Sequence, residues 1–455
     1  MSNNNFLNSL NTIFDKKDIK LDEFEKHPYS HDWSSLESTE PLVVIFPRDK
    51  KQVLETINLC NSSSQAFFGS GGRTGLSGGA TAIDNEVVIS FEKMNKILDF
   101  DESSKSLLCE PGLITKDLQN FAFDNDLFYP IDFSSTGSSQ IGGNIATNAG
   151  GIRVIKYGLT ERYVQGLEVV SGDGSFLNYN KGLIKNATGP NFKNIFIGSE
   201  GCFGLFTKCN IKLVEKPKQT NVVILSFNEL SNLEEIINSV TSYDIEAVEF
   251  FTKQSSLKVA KEFNINNPLG FKNHYYLILE FSDAGLLSAL EKMISSGIID
   301  DVIISHNSKQ KDEIWKNRML ISESIFNNKP IKFDIAVPVF FFAKLINKIE
   351  RFVHENNKFM PILFGHAGDG NLHANFIHSD EETNTINKKD LNKLNTFIYE
   401  CVENLNGTIS AEHGIGYLKK EQFKRQSLRN EMHVLKSFKK IFDPKNLLNP
   451  SKLIP

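Results

Sequence analysis

Six glycines in thirteen residues make Phe68-Gly-Ser-Gly-Gly-Arg-Thr-Gly-Leu-Ser-Gly-Gly-Ala80 the stretch that most constrains how this chain can fold. Glycine belongs where backbone must turn through positive φ or approach a ligand closely. Successive N–H groups in such a loop form a concavity that suits an anion. Arg73, Thr74 and Ser77 add donors that match phosphate oxygens. A flexible tip, or a bulge between strands, is the alternative. A Gly/Ser linker is polar and has polar flanks, whereas here apolar Gln65-Ala-Phe-Phe68 precedes and strand-like Glu86-Val-Val-Ile-Ser90 follows. The loop is no nicotinamide fingerprint: Gly69-Ser-Gly-Gly-Arg-Thr74 lacks the third glycine of G-x-G-x-x-G, and no strand–loop–helix unit follows.

The 455 residues suffice for two or three domains. A formal charge of −5 gives no overall basic field for nucleic acid. Five cysteines, at 60, 109, 202, 209 and 401, show no C-x-x-C, so they read as buried thiols of a reducing compartment, not as disulfides or a thiolate metal site. Met-Ser-Asn-Asn-Asn-Phe has neither the basic start nor the apolar run of a secretory signal, Asp15 and the absence of early arginines argue against a transit peptide, and a cytoplasmic setting is expected. No run reaches the roughly 18 apolar residues a membrane span needs. Ile335–Ile346 comes nearest but is broken by Pro338 and Lys344, and predicts a strand end followed by a Pro-started helix.

Residues 1–37 read as a helical lead-in. Leu42–Phe46 predicts a strand, and Asp49 caps a helix with Val53 and Ile57 on one face. Strands follow at 86–91 and 106–109, and Thr115 is placed to cap a helix over 116–125. A second glycine-rich loop, Gly137–Gly151, can lie flat against a planar ligand, with Asn144, Thr147 and Asn148 as hydrogen-bonding groups; a tightly packed turn is the alternative. Two such loops in one domain point to one extended ligand with a pyrophosphate. Gly166–Leu177 predicts a hairpin turning at Asp173-Gly174. Ile197-Gly-Ser-Glu-Gly201 is a third small-residue loop. Past a boundary near 218, strands alternate with helices, which predicts an α+β domain whose antiparallel sheet is covered on one face. The chain turns basic and helical from about 421, and Asp443-Pro444 is placed to start a last short turn of helix.

Three groups of side chains could carry chemistry. His366 and His373 flank a Gly-Asp-Gly turn, so a strand–turn–strand would make both imidazoles converge. With Glu412 they form the N,N,O ligand set of a catalytic divalent site. Adjacent His413 is then left to act as a base, and Asp369 suits either a ligand or a turn. Arg318 on a helix, Ser322 one turn later on the same face, and Lys332 on the next strand make a carboxylate-binding set; solvated surface charge is the alternative.

Taken in order, these motifs resemble the FAD-linked 2-hydroxy-acid dehydrogenases of the vanillyl-alcohol-oxidase type. The resemblance covers residue 40 to the C-terminus and rests on 69–80, 141–151, 197–201, 365–373, 412–416 and Leu448-Asn-Pro450. Arg318, Ser322 and Lys332-Phe-Asp334 are most similar to the branch that oxidises D-2-hydroxyglutarate, rather than to D-lactate or glycolate enzymes.

The resemblance implies an α+β fold: a helical lead-in (1–37), a two-subdomain FAD-binding domain (38–217), an antiparallel-sheet cap carrying substrate and metal sites (218–420), and a C-terminal segment (421–455) returning to the FAD domain. It implies that FAD is held by Ser70, Gly71, Gly72, Arg73, Thr74, Gly75, Ser77, Pro111, Gly112, Gly137, Ser138, Ile141, Gly142, Asn144, Thr147, Asn148, Gly150, Gly151, Gly201 and Asn449. It implies zinc on His366, His373 and Glu412, substrate on Arg318, Ser322, Lys332 and Asn375, and His413 as the base. Residues 68–80 hold no histidine, so the flavin should be non-covalent. No second cofactor motif is present, so electrons should leave to an electron-transfer flavoprotein or a quinone; a homodimer is compatible. Met319 stands where the family has an acidic residue after the arginine, and Gly201-Cys-Phe-Gly204 and Gly189-Pro-Asn-Phe192 also depart from its pattern. An ether-lipid-synthase-like flavoprotein and a non-catalytic partner subunit are the rival readings, and the intact histidine run argues against both.

Overall fold

The glycine-rich loop leaves one parallel strand and returns as its neighbour. In the computed structural model, which describes residues 3–379 and 387–455, β1 (Ile19–Lys20), β2 (Val43–Ile45), β3 (Phe67–Ser70) and β4 (Val87–Ser90) form a sheet in the order β1-β2-β4-β3. β2, β4 and β3 are parallel. Their Val43, Val44, Ile45, Val87, Val88 and Ile89 are fully buried, the continuous apolar pattern of a strand covered on both faces. The helix Lys50–Ser63 starts where Asp49 accepts a hydrogen bond from the Gln52 N–H (2.9 Å), and it buries Val53, Thr56, Ile57 and Cys60 at helical spacing. The lead-in is not helical throughout: Asn3–Ile13 is a helix that packs Phe6 and Leu10 into the same core, but Ile19–Lys20 pairs with β2 as an edge strand.

A second sheet of the same unit is antiparallel. It contains β5 (Ile97–Asp101) and β6 (Ser106–Cys109), then, beyond β7 (Leu127–Phe128), the hairpin of β8 (Val164–Ser171) and β9 (Phe176–Tyr179), and β10 (Gly204–Lys212). β11 (Val214–Glu215) pairs separately with β7. The hairpin turns at Asp173-Gly174 as predicted, with Gly174 at φ 88°. Two expectations give way here. Thr115 does not cap its helix, because its hydroxyl lies 2.7 Å from that of Ser139. The supposed second loop contains a helix, Ile141–Thr147, where Gly142 fits because a Cβ would stand 2.7 Å from the Pro111 side chain.

The chain divides into two units. One is Met1–Gly151, Leu159–Lys216 and Glu412–Pro455; the other is Ile152–Gly158 and Pro217–Ala411. The C-terminal return is thus part of the first unit from Glu412 onward. There Leu448 bridges to Phe67 in parallel, the Phe67 N–H donates to the Leu447 carbonyl (2.8 Å), and the Asn449 N–H donates to that of Phe67 (2.6 Å). Asp443 starts no final helix; its carboxylate accepts from the Leu447 and Leu448 N–H groups and closes a turn.

The second unit is a seven-stranded antiparallel sheet. Its strands are β12 (Asn221–Phe227), β13 (Ile245–Thr252), β14 (Tyr275–Phe281), β15 (Asp301–Ile304), β16 (Ile331–Ala336), β17 (Phe359–His366) and β18 (Asn371–His378), in the order β15-β12-β14-β13-β17-β18-β16. The sheet is covered on both faces, not one. Every residue of β13 and β14 is buried. Val259 and Ile314 pack with Phe251 on one face, while Phe342 meets Phe250 on the other. Acids inside this sheet are matched by cations: Lys156 bonds Glu246 at 2.6 Å, and Arg153 and Lys311 bond Glu280 at 2.9 and 2.5 Å. An unpaired buried carboxylate would cost several kcal/mol. No helix among the described residues is long and apolar enough to cross a membrane.

Candidate active site

Strand register assembles a polar island on one face of the seven-stranded sheet. Residues directly opposite in antiparallel strands point the same way. One row across the strands is Glu249, His366, Asn371 and Ala336; the next is Phe251, Phe364, His373 and Asp334; a third is Ile362, Asn375 and Lys332. The tight turn at 367–370 makes this register possible. Gly370 has φ 81°, and a Cβ there would stand 2.0 Å from the Val337 carbonyl oxygen. Asp369 plays the turn role, accepting from the Asn371 N–H at 3.2 Å.

The two histidines converge as the strand–turn–strand reading predicts. Their Nε2 atoms are 3.3 Å apart, with the rings nearly perpendicular at 83°. Each turns its other nitrogen toward a carboxylate: His366 Nδ1 lies 2.6 Å from Glu249 Oε1, and His373 Nδ1 lies 3.5 Å from Asp334 Oδ1. Asn371 holds Asp334 in turn, its Nδ2 donating to Oδ1 at 2.9 Å. Two nitrogens bound to one tetrahedral zinc at 2.0–2.1 Å stand about 3.3 Å apart. Facing Nε2 atoms backed by carboxylates at Nδ1 form the arrangement in which an imidazole ligand is held in one tautomer. These side chains therefore suit a divalent ion.

Arg318 is buried and already engaged. Its Nε is 2.7 Å from Glu249 Oε2, an ion pair set off the straight N–H···O line, and its guanidinium carbon lies 4.7 Å from the Phe364 ring centroid. Ser322 does not share its face. The helix Ser308–Met319 ends, Leu320 turns, and Ser322 is exposed on a separate turn Ile321–Ser324. Lys332 sits opposite Asn375 in the ladder. It is exposed by surface area, yet enough protein surrounds it that desolvation holds its ammonium below the usual lysine range.

Glu412 and His413 belong to the first unit, and the backbone from His413 onward is tied to Ser77 of the glycine loop. Ser77 Oγ donates to the His413 carbonyl at 2.8 Å, and the Tyr417 N–H donates to that of Ser77. Glu200, half-buried, accepts from the Ile415 and Gly416 N–H groups at 2.6 and 2.7 Å. Burial raises its carboxyl above the usual range, against the pull of those two donors. The segment His413–Gly416 is thus anchored by Ser77 and by Glu200.

The cradle borders a cleft of about 410 Å³ whose walls include Gly72, Arg73, Thr74, Ser138 and His31. Arg73 takes a left-handed φ of 57°, pairs with Glu92 at 3.0 Å and lies over the Tyr29 ring. Beside the cleft, Ser70 Oγ and Gln140 Oε1 are buried with no hydrogen-bond partner among the described residues. A Cβ at Gly137, Gly143 or Gly201 would meet no protein atom within 4 Å. Orphaned polar atoms and open space over glycines fit a bound dinucleotide. Close approach of backbone accounts for Gly112 and Gly151, where a Cβ would stand 1.9 and 2.1 Å from the carbonyl oxygens of Phe91 and Asp132. The amide and hydroxyl groups assigned to the ligand are partly used within the chain: Asn144 donates to Thr115, Thr147 to Gly143, Asn148 accepts from Glu161, and Asn449 donates to Glu200. Gly71, Gly75, Ile141, Gly142 and Gly150 lie on the same two segments, and Pro111, in the turn after β6, packs against Gly142.

The sequence reading missed Glu249, Glu200 and the part Asp334 plays in the island. A signal existed for Glu249. Ile-Glu-Ala-Val-Glu-Phe-Phe-Thr is an apolar strand carrying two acids, and a charge inside such a strand needs a partner. Nothing local marked Glu200, whose partners are more than 200 residues away in sequence.

The C-terminal domain of FAD linked oxidases matches residues 216–453, and an FAD binding domain matches residues 41–180. A D-2-hydroxyglutarate dehydrogenase of Stutzerimonas stutzeri is 36% identical over 98% of this chain and 98% of its own. Another, of Xanthomonas citri pv. viticola, is 33% identical over 96% of this chain and 94% of its own. Among solved structures, p-cresol methylhydroxylase superposes with a TM-score of 0.77 at 14% identity, over 99% of this chain and 96% of that one, a likeness of fold. Family match, near full-length relatives and the fitted cradle lead to one conclusion: the chain belongs to the FAD-linked oxidases, the family that includes these D-2-hydroxyglutarate dehydrogenases.

Proposed function

We propose that the chain oxidises D-2-hydroxyglutarate to 2-oxoglutarate, using non-covalent FAD and a zinc ion on His366, His373 and Glu412. The observation that carries this reading is the facing pair of Nε2 atoms 3.3 Å apart, each imidazole backed by a carboxylate. Full-length similarity to D-2-hydroxyglutarate dehydrogenases supports the substrate. Glu412 would supply the oxygen of the N,N,O ligand set that the sequence pattern implies.

When bound, FAD supplies the two-electron acceptor and the ion supplies Lewis acidity at the substrate hydroxyl. His413 takes the hydroxyl proton on a ring nitrogen, a transfer that needs little driving force once that hydroxyl is acidified. Arg318 offers its Nη fork to the far carboxylate, and Lys332 adds a second cation from the neighbouring strand. Asn375, opposite Lys332, hydrogen-bonds the same end of the substrate. Holding both ends of a dicarboxylate fixes which face of C2 is presented. Electrons then pass to an electron-transfer flavoprotein or a quinone.

Stopped-flow flavin reduction with both enantiomers of lactate, malate and 2-hydroxyglutarate tests the reading. D-2-Hydroxyglutarate should bleach the flavin fastest, with about one zinc per chain by metal analysis. Faster reduction by D-lactate, or by any L-enantiomer, would overturn it.

A further inference from the structure

Glu249 stands between the two functional groups that the proposed reaction needs at a fixed separation. It is central in β13, fully buried, and opposite His366 in the ladder. Its two oxygens do different work: Oε1 lies 2.6 Å from His366 Nδ1, and Oε2 lies 2.7 Å from Arg318 Nε. One carboxylate therefore spans an imidazole whose Nε2 faces His373 and a guanidinium packed on Phe364. Neither neighbour can shift alone without breaking a short charged contact inside a close-packed sheet face.

From this geometry we infer that Glu249 is a positioning residue that sets substrate chain length. The inference rests on the reading of His366 as a metal ligand and Arg318 as the carboxylate reader. The ion fixes where the 2-hydroxy-acid end sits; Arg318 fixes where the far carboxylate must reach. Glu249 ties the two through a single side chain, so it works as a ruler that accepts a five-carbon dicarboxylate and disfavours a four-carbon one. It also holds His366 as the tautomer that presents Nε2, since an Nδ1–H donating to Oε1 leaves the Nε2 lone pair for the ion.

Two substitutions separate the parts of this role. Glu249→Asp shortens the side chain by one methylene, so its carboxylate can no longer reach both partners. Glu249→Gln keeps the length and can still accept from His366 through its amide oxygen, but loses the charge facing Arg318. The full-length, flavin-loaded protein is stripped of metal and titrated with Zn2+ against a competing chelator, and kcat/KM is measured for D-2-hydroxyglutarate and D-malate. Glu249→Asp should lower zinc affinity roughly 10- to 100-fold and cut the glutarate-over-malate preference at least tenfold. Glu249→Gln should retain zinc affinity within a few-fold while KM for D-2-hydroxyglutarate rises. A purely structural glutamate would lower the melting temperature and leave zinc affinity and chain-length preference as in the wild type, and that result overturns the inference. Wild-type protein that takes up no stoichiometric zinc instead removes the metal reading itself, and the inference with it.

Discussion

Gly72 lies so close to the Ser138 carbonyl that a Cβ on it would stand 2.1 Å from the oxygen. Its neighbour Gly71 is different: a Cβ there meets Gln140 Oε1 at 3.6 Å, an ordinary contact. Both glycines belong to the same loop, yet only one is forced by packing. Gly72→Ala should therefore lose bound flavin, read as the ratio of visible to ultraviolet absorbance, while Gly71→Ala folds and keeps most of it. Equal flavin content in the two variants would show that the loop adjusts by more than this packing allows.

Removing Arg318 should cost more than substrate binding. The loss of a charged hydrogen bond, about 1.5–3 kcal/mol, predicts a rise in KM for D-2-hydroxyglutarate of roughly 10- to 150-fold in Arg318→Ala, and a smaller one for D-lactate. The same change strands the Glu249 carboxylate, which is fully buried, at a cost of roughly 3–5 kcal/mol. Urea unfolding should show that destabilisation, and Arg318→Lys should recover part of it. Unchanged stability in the alanine variant would mean that the Glu249 contact contributes nothing to folding.

Lys452 gives the first unit a pH dependence of its own. Its ammonium is buried over the Phe68 ring at 4.1 Å with no hydrogen-bond partner among the described residues. Burial pushes its pKa down from 10.5 to about 8, against the pull of nearby Glu86. Below pH 8 the group is protonated folded and unfolded, and the full burial penalty applies. Between about 8 and 10.5 only the unfolded chain keeps the proton, so stability from this residue should rise with pH, by roughly 3 kcal/mol across the window. Denaturation at pH 7.5 and pH 10 tests this: Lys452→Met should lose the rise, and an unaltered slope in that variant would count against the assignment.

Acid precipitation of the loaded protein should release all of its flavin into the supernatant. The glycine loop offers no histidine for a covalent link. His31 does line the adjoining cleft, so a yellow pellet that turns colourless in His31→Ala would replace this prediction with a covalent link at that position.

How far the chain could be read in advance depended on how local each signal was. The hairpin at Asp173-Gly174, the Asp49 cap and the His366–His373 turn are written in short spans, and all three form as predicted. The errors came from competition by distant groups. Thr115 gives its hydroxyl to Ser139, the 141–147 glycines pack as a helix against Pro111, and Ser322 leaves the Arg318 face because the helix breaks at Leu320. Both faces of β13 and β14 are buried, so the alternation that marks a one-sided sheet was missing. Within the site the convergence of His366 and His373 was legible, but the carboxylates behind them were not. Glu249 reaches His366 across 117 residues and Asp334 reaches His373 across the β16–β18 ladder, separations at which spacing carries no information.

The pairing of Phe67 with Leu447–Asn449 has a consequence during synthesis. The sheet that carries the glycine loop gains this edge partner only after Leu447–Asn449 have been translated. At roughly 5–20 residues per second, the early strands wait on the order of tens of seconds, while the second unit, contiguous but for one short insertion at Ile152–Gly158, is translated in between. A nascent chain stalled before Leu447 should thus be able to order its seven-stranded antiparallel sheet and yet hold no flavin, so that cofactor loading follows the making of that sheet and does not nucleate it.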